Sequence, residues 1–379
     1  MIFVEGKKIS EDSSMTKGHQ LVLNLLQNPI LSAKTNAFKS LSETTIMLPQ
    51  DPKSVGSESS SSVKSVYVFQ REYATVNPSA VKSVGTDEAT TCVGLAISNR
   101  TTRMTSVAHF DSAERVKLGL LQMLAGVVCG EKDADLDFGD LQVHLVGGFD
   151  DTRERHFNKI FKIENCVTNN AHNCDGTLIM DQYKEKLVLD GYSWPLCLKI
   201  VETLQSMPHN FHLQTFCVLN HNTLAGPKGQ ACPMITGFVV NTVTGNVMPA
   251  SFDKSARCPD EVVRRLRVSF SFEDSTWEGR LLETYDTYSD RFVIAPCKWR
   301  PTWKYYAAEL LELSDSELLL QCSTSPDAES LDFVESERRM LAYLLKNPNW
   351  TCTFPNGQPR IFTRTDKGDW VKSGLRHGK

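Results

Sequence analysis

The sequence lacks most of what would assign a function class at a glance. Its 379 residues hold no apolar run as long as a membrane span. Lys and Arg number 41 against 45 Asp and Glu, a formal charge of −4, so the basic stripe of a nucleic-acid groove is missing. The opening MIFVEGKKIS has no basic segment followed by an apolar one, which argues against a secretory signal. The eleven cysteines, odd in number and irregular in spacing, fit no disulfide framework and are expected to be reduced intracellular thiols. LAGPKGQ lacks the GxxxxGK[ST] phosphate-loop pattern and reads as a turn. No internal repeat is evident. What is present is an ordinary apolar fraction and enough chain to bury a core.

Leu21, Leu25, Ile30, Phe38 and Leu41 recur at helical spacing. Pro29 interrupts them, so two short helices are expected between His19 and Leu41. The Ser-rich stretch from Asp51 to Lys64 reads as a flexible, exposed insertion. SVYVFQREYATV, LQVHLVGGF, LQTFCVLN and MITGFVVNTVTGNVMPASF carry strand signals, the last turning at Thr244–Asn246. Arg115–Val128, WPLCLKIVETLQ and Asp332–Leu345 read as helices, and CTFPNGQPRIFTR as a terminal hairpin. Thr152–Asp190 has no clear periodicity. Strands outnumber dispersed helices, which implies an α+β layered domain with mostly antiparallel sheet. The expected organisation is an N-terminal segment over 1–64 and one domain over 65–379, with a surface insertion at about 152–193.

Chemistry concentrates in TDEATTCVGLAISNRTTRMTSVAHFDS, Thr86 to Ser112. Two strand-like runs flank turn residues Asn99 to Thr102. A hairpin centred between Arg100 and Thr101 would pair Cys92 with His109, with Cβ atoms about 5 Å apart. The same register gathers Val93, Leu95, Ile97, Met104, Ala108 and Phe110 on the opposite face, as a buried sheet face requires. A thiol of pKa about 8.5 is mostly protonated at neutral pH, and a neighbouring imidazole can take its proton and stabilise the ion pair. A third polar group usually fixes the imidazole tautomer. Thr86, Asp87, Glu88 and Asp111 are the nearby candidates. The run TTC offers backbone N–H groups for an oxyanion. The structural alternative is a small buried cysteine and a satisfied histidine.

This stretch resembles the protein N-terminal asparagine amidohydrolase family. The resembling pieces are VEGKK, VYVFQREYATV, VGTDEATTC, VAHFDS, LQVHLVGGFDD, ASF, STSPDAE and DFVESER, in family order and reaching nearly to the C-terminus. The Cys-to-His spacing is also similar to that of bacterial chemoreceptor glutamine deamidases, more distant cysteine hydrolases. The resemblance implies an α-β-β sandwich, mostly antiparallel with flanking helices. It carries the nucleophile over to Cys92, the base to His109 and the third, hydroxyl residue to Thr86, with Ser323 or Ser325 as fallback. It implies hydrolysis of the side-chain amide of an N-terminal Asn through a thioester, giving Asp and ammonia and priming the substrate for arginylation and N-degron proteolysis. No metal or organic cofactor is called for. The implied partners are protein or peptide N-termini, with no nucleic acid or membrane. A monomer in the cytoplasm, with the nucleus as a second location, is expected. The Ser-rich segment and most of Thr152–Ser193 are additions to the family pattern.

Specificity needs a reader for the free α-amine, since a buried ammonium wants a carboxylate. Asp111 is the first candidate, followed by Glu88 and Asp151. Rejection of Gln must be steric, because one methylene is worth only about 1–3 kcal/mol. CVTNNAHNC offers Cys166, His172 and Cys174 for zinc, but lacks a fourth ligand and the CxxC spacing. His144 reads as a strand histidine, and RRLR at Arg264–Arg267 as a solvated helix face. The competing functional classes are a catalytically inactive peptide-binding module of the same fold, and a cysteine protease or transglutaminase-like enzyme.

Overall fold

Pro29, read in the sequence as an interruption, starts a helix. The Asn28 side chain accepts from Ile30 N at 3.0 Å and Leu31 N at 3.1 Å, and Pro29 takes the first helical position, where no N–H is needed. Two short helices result, α1 (Lys17–Leu26) and α2 (Pro29–Lys39). The computed structural model describes residues 1–9, 17–47, 64–128, 140–152, 191–227, 229–365 and 368–373. The Ser-rich stretch up to residue 63, most of the 152–193 insertion and the Cys166, His172 and Cys174 trio lie outside the described residues.

The central sheet has eight strands. In spatial order they are β15 (Leu282–Glu283), β5 (Glu72–Val76), β8 (Thr105–Phe110), β7 (Val93–Asn99), β9 (Leu141–Phe149), β10 (Phe211–Leu219), β1 (Ile2–Val4) and β2 (Lys7–Lys8). A second sheet runs β3 (Thr44–Ile46), β14 (Val247–Phe252), β13 (Phe238–Asn241), β6 (Ser83–Thr86) and β4 (Ser65–Tyr67), and β11 (Thr223–Ala225) pairs separately with β12 (Ala231–Pro233). Alternation assigns the faces of the central sheet. Val93, Leu95 and Ile97 turn to α1, α3 (Val116–Val128) and α4 (Ser193–Ser206), sharing one core with Leu25, Leu120 and Ile200. Ala96, Val107 and Val146 turn the other way, against Val66, Val84, Phe238 and Val240 of the second sheet. The expected α-β-β sandwich is therefore the observed architecture, in mixed sheets whose strand pairs are mostly antiparallel. Helices α5 (Glu261–Phe270), α6 (Trp303–Leu311) and α8 (Phe333–Lys346) extend the second core, and α7 (Asp315–Cys322) lies beside them. Among the described residues no helix is long and apolar enough to cross a membrane.

Two sequence expectations fail. CTFPNGQPRIFTR is not a hairpin: Asn349 accepts from Thr351 N at 3.2 Å and caps a short helix, Trp350–Thr353. Only Arg360–Arg364 is a strand, paired with Arg291–Ile294 and Trp370–Lys372. Nor is RRLR a solvated face. Arg264 and Arg267 are both 0% exposed, on the same side of α5 as Val263, Leu266 and Phe270. Their reason is Glu72, equally buried at the start of β5. Arg264 donates to Glu72 at 2.6 Å and to Tyr67 O at 2.7 Å, and lies over the rings of Phe69 and Phe292. Arg267 stands 3.8 Å from the same carboxylate, over Trp277. One carboxylate thus answers two buried guanidinium groups. Glu72→Gln removes that charge while keeping the shape, and is expected to cost about 3–5 kcal/mol in equilibrium denaturant unfolding. A loss below about 1 kcal/mol would show that the guanidinium charges are satisfied elsewhere.

Candidate active site

The Cys/His hairpin forms, in a register two residues from the expected one. Gly94, not Cys92, pairs with His109, and Val93 pairs with Phe110. The turn explains the shift. The Asn99 carboxamide accepts from Thr101 N at 2.9 Å and Thr102 N at 3.0 Å, Asn99 N–H bonds Met104 O at 3.0 Å, and Arg103 takes a left-handed φ of 60°. The loop is longer than the two-residue turn and carries the centre forward. A shift of two preserves the faces, so the apolar set stays together apart from Met104, which lies before the strand. Cys92 ends just outside β7, on the His109 side and diagonal to it.

Thr86 reaches His109 from the second sheet. Its Oγ1 lies 2.8 Å from His109 Nδ1 and donates to Val68 O at 2.7 Å. A hydroxyl has one proton, and a carbonyl can only accept. Thr86 therefore spends its proton on Val68, and Nδ1 must donate to Thr86. In a neutral imidazole that leaves Nε2 as the acceptor. Nε2 is buried and has no hydrogen-bond partner among the described residues. Ser323 and Ser325, the fallback hydroxyls, are engaged elsewhere. Ser323 donates to Glu329, and Ser325 to Thr90 Oγ1 at 2.8 Å.

Burial sets the charges. It pushes the Cys92 thiol well above the usual range, helped by the carboxylates of Asp111 and Glu329 and opposed by Arg71 and a Thr91 hydrogen bond. It pushes His109 down to about 4, against the pull of Asp111, Glu88 and Glu72. Both shifts favour the uncharged pair, thiol and neutral imidazole, over the ion pair expected from the sequence.

Cys92 and His109 line a cavity of about 310 Å³. Its lining includes the apolar side chains of Phe270, Trp303 and Leu344 and the carboxyl groups of Glu88, Glu329 and Glu337. Glu88 is already paired, with Arg257 at 2.8 Å and Arg265 at 3.2 Å. Glu329 and Glu337 are each raised to about 7, chiefly by burial. Asp111 and Asp151 do not line the cavity. Burial opposes the charge of Asp111, but Arg71 and Arg115 with the Arg71 and Gln70 hydrogen bonds outweigh it, and its pKa falls below the usual value. Asp151 accepts from Tyr192 N at 2.7 Å and Ser193 N at 3.2 Å at the start of α4. His144 bonds Thr215 at 3.0 Å, away from the cavity. Glu329 is the last residue of STSPDAE, where the hydroxyls draw the reading of the sequence and the carboxylate does not. Among the described residues no three His, Cys, Asp or Glu side chains gather as a metal site.

Comparison with known proteins gives the family. Residues 55–372 match the family model described as protein N-terminal asparagine amidohydrolase. The chain is 47% identical to the Arabidopsis thaliana protein of that name, over 98% of this chain and all of the relative. It is 26% identical to the Mus musculus protein of that name, over 81% of this chain and 83% of the relative, and 26% identical to the Homo sapiens one over the same shares. The chain belongs to the protein N-terminal asparagine amidohydrolase family.

Proposed function

We propose that this chain hydrolyses the side-chain amide of an N-terminal asparagine in proteins and peptides, releasing ammonia and leaving N-terminal aspartate. The observation that carries the reading is the Thr86–His109 hydrogen bond, which leaves Nε2 as an unpartnered base in a cavity shared with Cys92. Because the resting pair is uncharged, the thiol proton moves to Nε2 as sulfur attacks the amide carbon, not before. The carbonyl becomes an oxyanion, held by backbone N–H groups that include that of Cys92. The tetrahedral species breaks its C–N bond, and His109 gives its proton to the departing nitrogen, which leaves as ammonia. A water then yields a proton to His109 and attacks the thioester; the C–S bond breaks and the thiol is restored. By the family resemblance, the aspartate product primes arginylation and N-degron proteolysis.

Among the acids, Glu329 is the proposed partner of the substrate α-ammonium. It lines the cavity, its hydrogen-bond partner among the described residues is the Ser323 hydroxyl, and its carboxylate is felt by the Cys92 thiol. A carboxylate raised to about 7 by burial is short of a cation, and the ammonium supplies one. Of the sequence candidates, Asp111 is balanced by Arg71 and Arg115, Glu88 is paired with Arg257 and Arg265, and Asp151 accepts two backbone N–H groups at the start of α4.

The first test is an Asn-initiated peptide beside matched peptides that begin with Gln, begin with acetylated Asn, or carry Asn internally. Expected is ammonia release with a mass gain of about one dalton on the free N-terminal Asn alone, absent in Cys92→Ala. No turnover by folded protein would leave the peptide-binding module, and a cleaved or cross-linked product would point to the protease or transglutaminase class. Thr86→Val is expected to lower kcat by about 10²-fold or more, while Thr86→Ser keeps most of it; equal loss in both would remove the hydroxyl from the mechanism. Glu329 is protonated below about 7 and cannot then pair with an ammonium. The value of kcat/KM should fall below that pH, and again above the amine's own pKa of about 8. In Glu329→Gln the acid limb should vanish and KM rise; an unchanged limb would assign amine recognition to another acid.

A further inference from the structure

Thr90, Thr91 and Cys92 line the cavity, yet the carbonyls of the first two are tied to residues that do not. Phe149 N–H donates to Thr90 O at 3.2 Å, and the Ser193 hydroxyl donates to Thr91 O at 3.3 Å. Phe149 closes β9 and Ser193 opens α4, and both are 0% exposed. The approach is close: a Cβ on Gly147 would stand 2.7 Å from Cys92 O and 2.8 Å from Ala89 O. Across a trans peptide the C=O and the next N–H point in opposite directions. Cys258–Pro259 is the only cis bond among the described residues. Carbonyls held against β9 and α4 therefore turn the N–H groups of Thr91 and Cys92 the other way, to the cavity side. Among the described residues neither N–H has a hydrogen-bond acceptor.

Resting on the reading of Cys92 as nucleophile, we infer that Ser193 is a positioning residue that aims the Cys92 N–H as an oxyanion donor, with Thr91 N–H as the second donor fixed through Phe149. Asp151 holds Ser193 for this task by accepting the amides of Tyr192 and Ser193. The carboxylate that the sequence offered as a substrate reader thus serves the same site from behind. As the C–S bond forms, negative charge grows on the amide oxygen and polarises the Thr91–Cys92 peptide. Its carbonyl becomes a better acceptor, and the 3.3 Å contact has room to shorten. The interaction is strongest in the transition state, which is the condition for raising kcat.

Ser193→Ala removes only the hydroxyl. Its kcat on an Asn-initiated peptide is expected to fall about tenfold or more, with KM within about twofold of the parent. Alkylation of Cys92 by iodoacetamide forms no oxyanion, so its rate across pH should not change. A peptide bearing N-terminal aspartate β-semialdehyde adds the thiol and makes the oxyanion, so its affinity should fall with kcat. Asp151→Asn should move kcat the same way by less, in a chain that keeps the Ser193 hydroxyl; thermal melts establish that each variant folds. Parental kcat in Ser193→Ala, or alkylation falling in step with kcat, would overturn the inference. Activity surviving in Cys92→Ala would instead overturn the reading beneath it.

Discussion

The hydrogen bond between His109 and Thr86 joins the two sheets across their apolar interface. His109 stands on the central sheet and Thr86 at the end of β6 in the second. Packed sheets lie about 10 Å apart, too far for a threonine to reach an imidazole unless something small lies between. Gly94, the cross-strand partner of His109, provides that space. A Cβ there would meet Phe238 Cε1 at 2.6 Å and Thr86 Cγ2 at 3.0 Å. Gly94 therefore sets the local sheet spacing, and with it the tautomer that leaves Nε2 open.

From Thr86 to Cys92 the chain is pinned at nearly every residue. Asp87 accepts from Tyr67 OH and Phe252 N, both at 2.7 Å, and from Arg257 at 3.3 Å. Glu88, in a left-handed conformation, binds Arg257 and Arg265. Ala89 N–H bonds Thr236 O at 2.8 Å. Thr90 accepts from Ser325, and Thr91 meets Thr324 at 3.1 Å. Buried ion pairs contribute little net stability, because desolvation offsets their attraction, yet breaking one is costly. Such groups suit a loop whose position matters more than its stability, since a small misplacement of reacting groups is expensive in rate.

What the sequence revealed and what it hid divide along physical lines. Period-two alternation identified the buried face of the β7–β8 hairpin, because face depends only on parity. Register depends on the turn, and a side-chain cap by Asn99 is not visible in a hydropathy pattern. Charge misled at Arg264 and Arg267, where the partner Glu72 lies nearly two hundred residues away. Cys92, His109 and Thr86 fall within one short stretch and could be read together. Ser193 and Glu329 reach the same site from distant parts of the chain, and only the folded arrangement brings them there. Carboxylates near Cys92 in sequence, Asp111 above all, are spoken for by arginines.

The same electrostatics tie recognition to reactivity. In the free site the thiol is held protonated by burial and by the carboxylates of Asp111 and Glu329. Arginines already balance Asp111, which leaves Glu329 as the carboxylate whose charge is open to change. On the proposed reading an incoming α-ammonium pairs with Glu329 and cancels part of the field opposing a thiolate at Cys92. An internal or acetylated asparagine brings no such charge, so it would meet a thiol still held protonated even if it entered the cavity. The feature that marks a chain terminus then does two things at once: it places the side-chain amide, and it lowers the cost of making the nucleophile. Selectivity of that kind appears in kcat as well as in KM, because the charge that identifies the substrate also acts on the reacting sulfur.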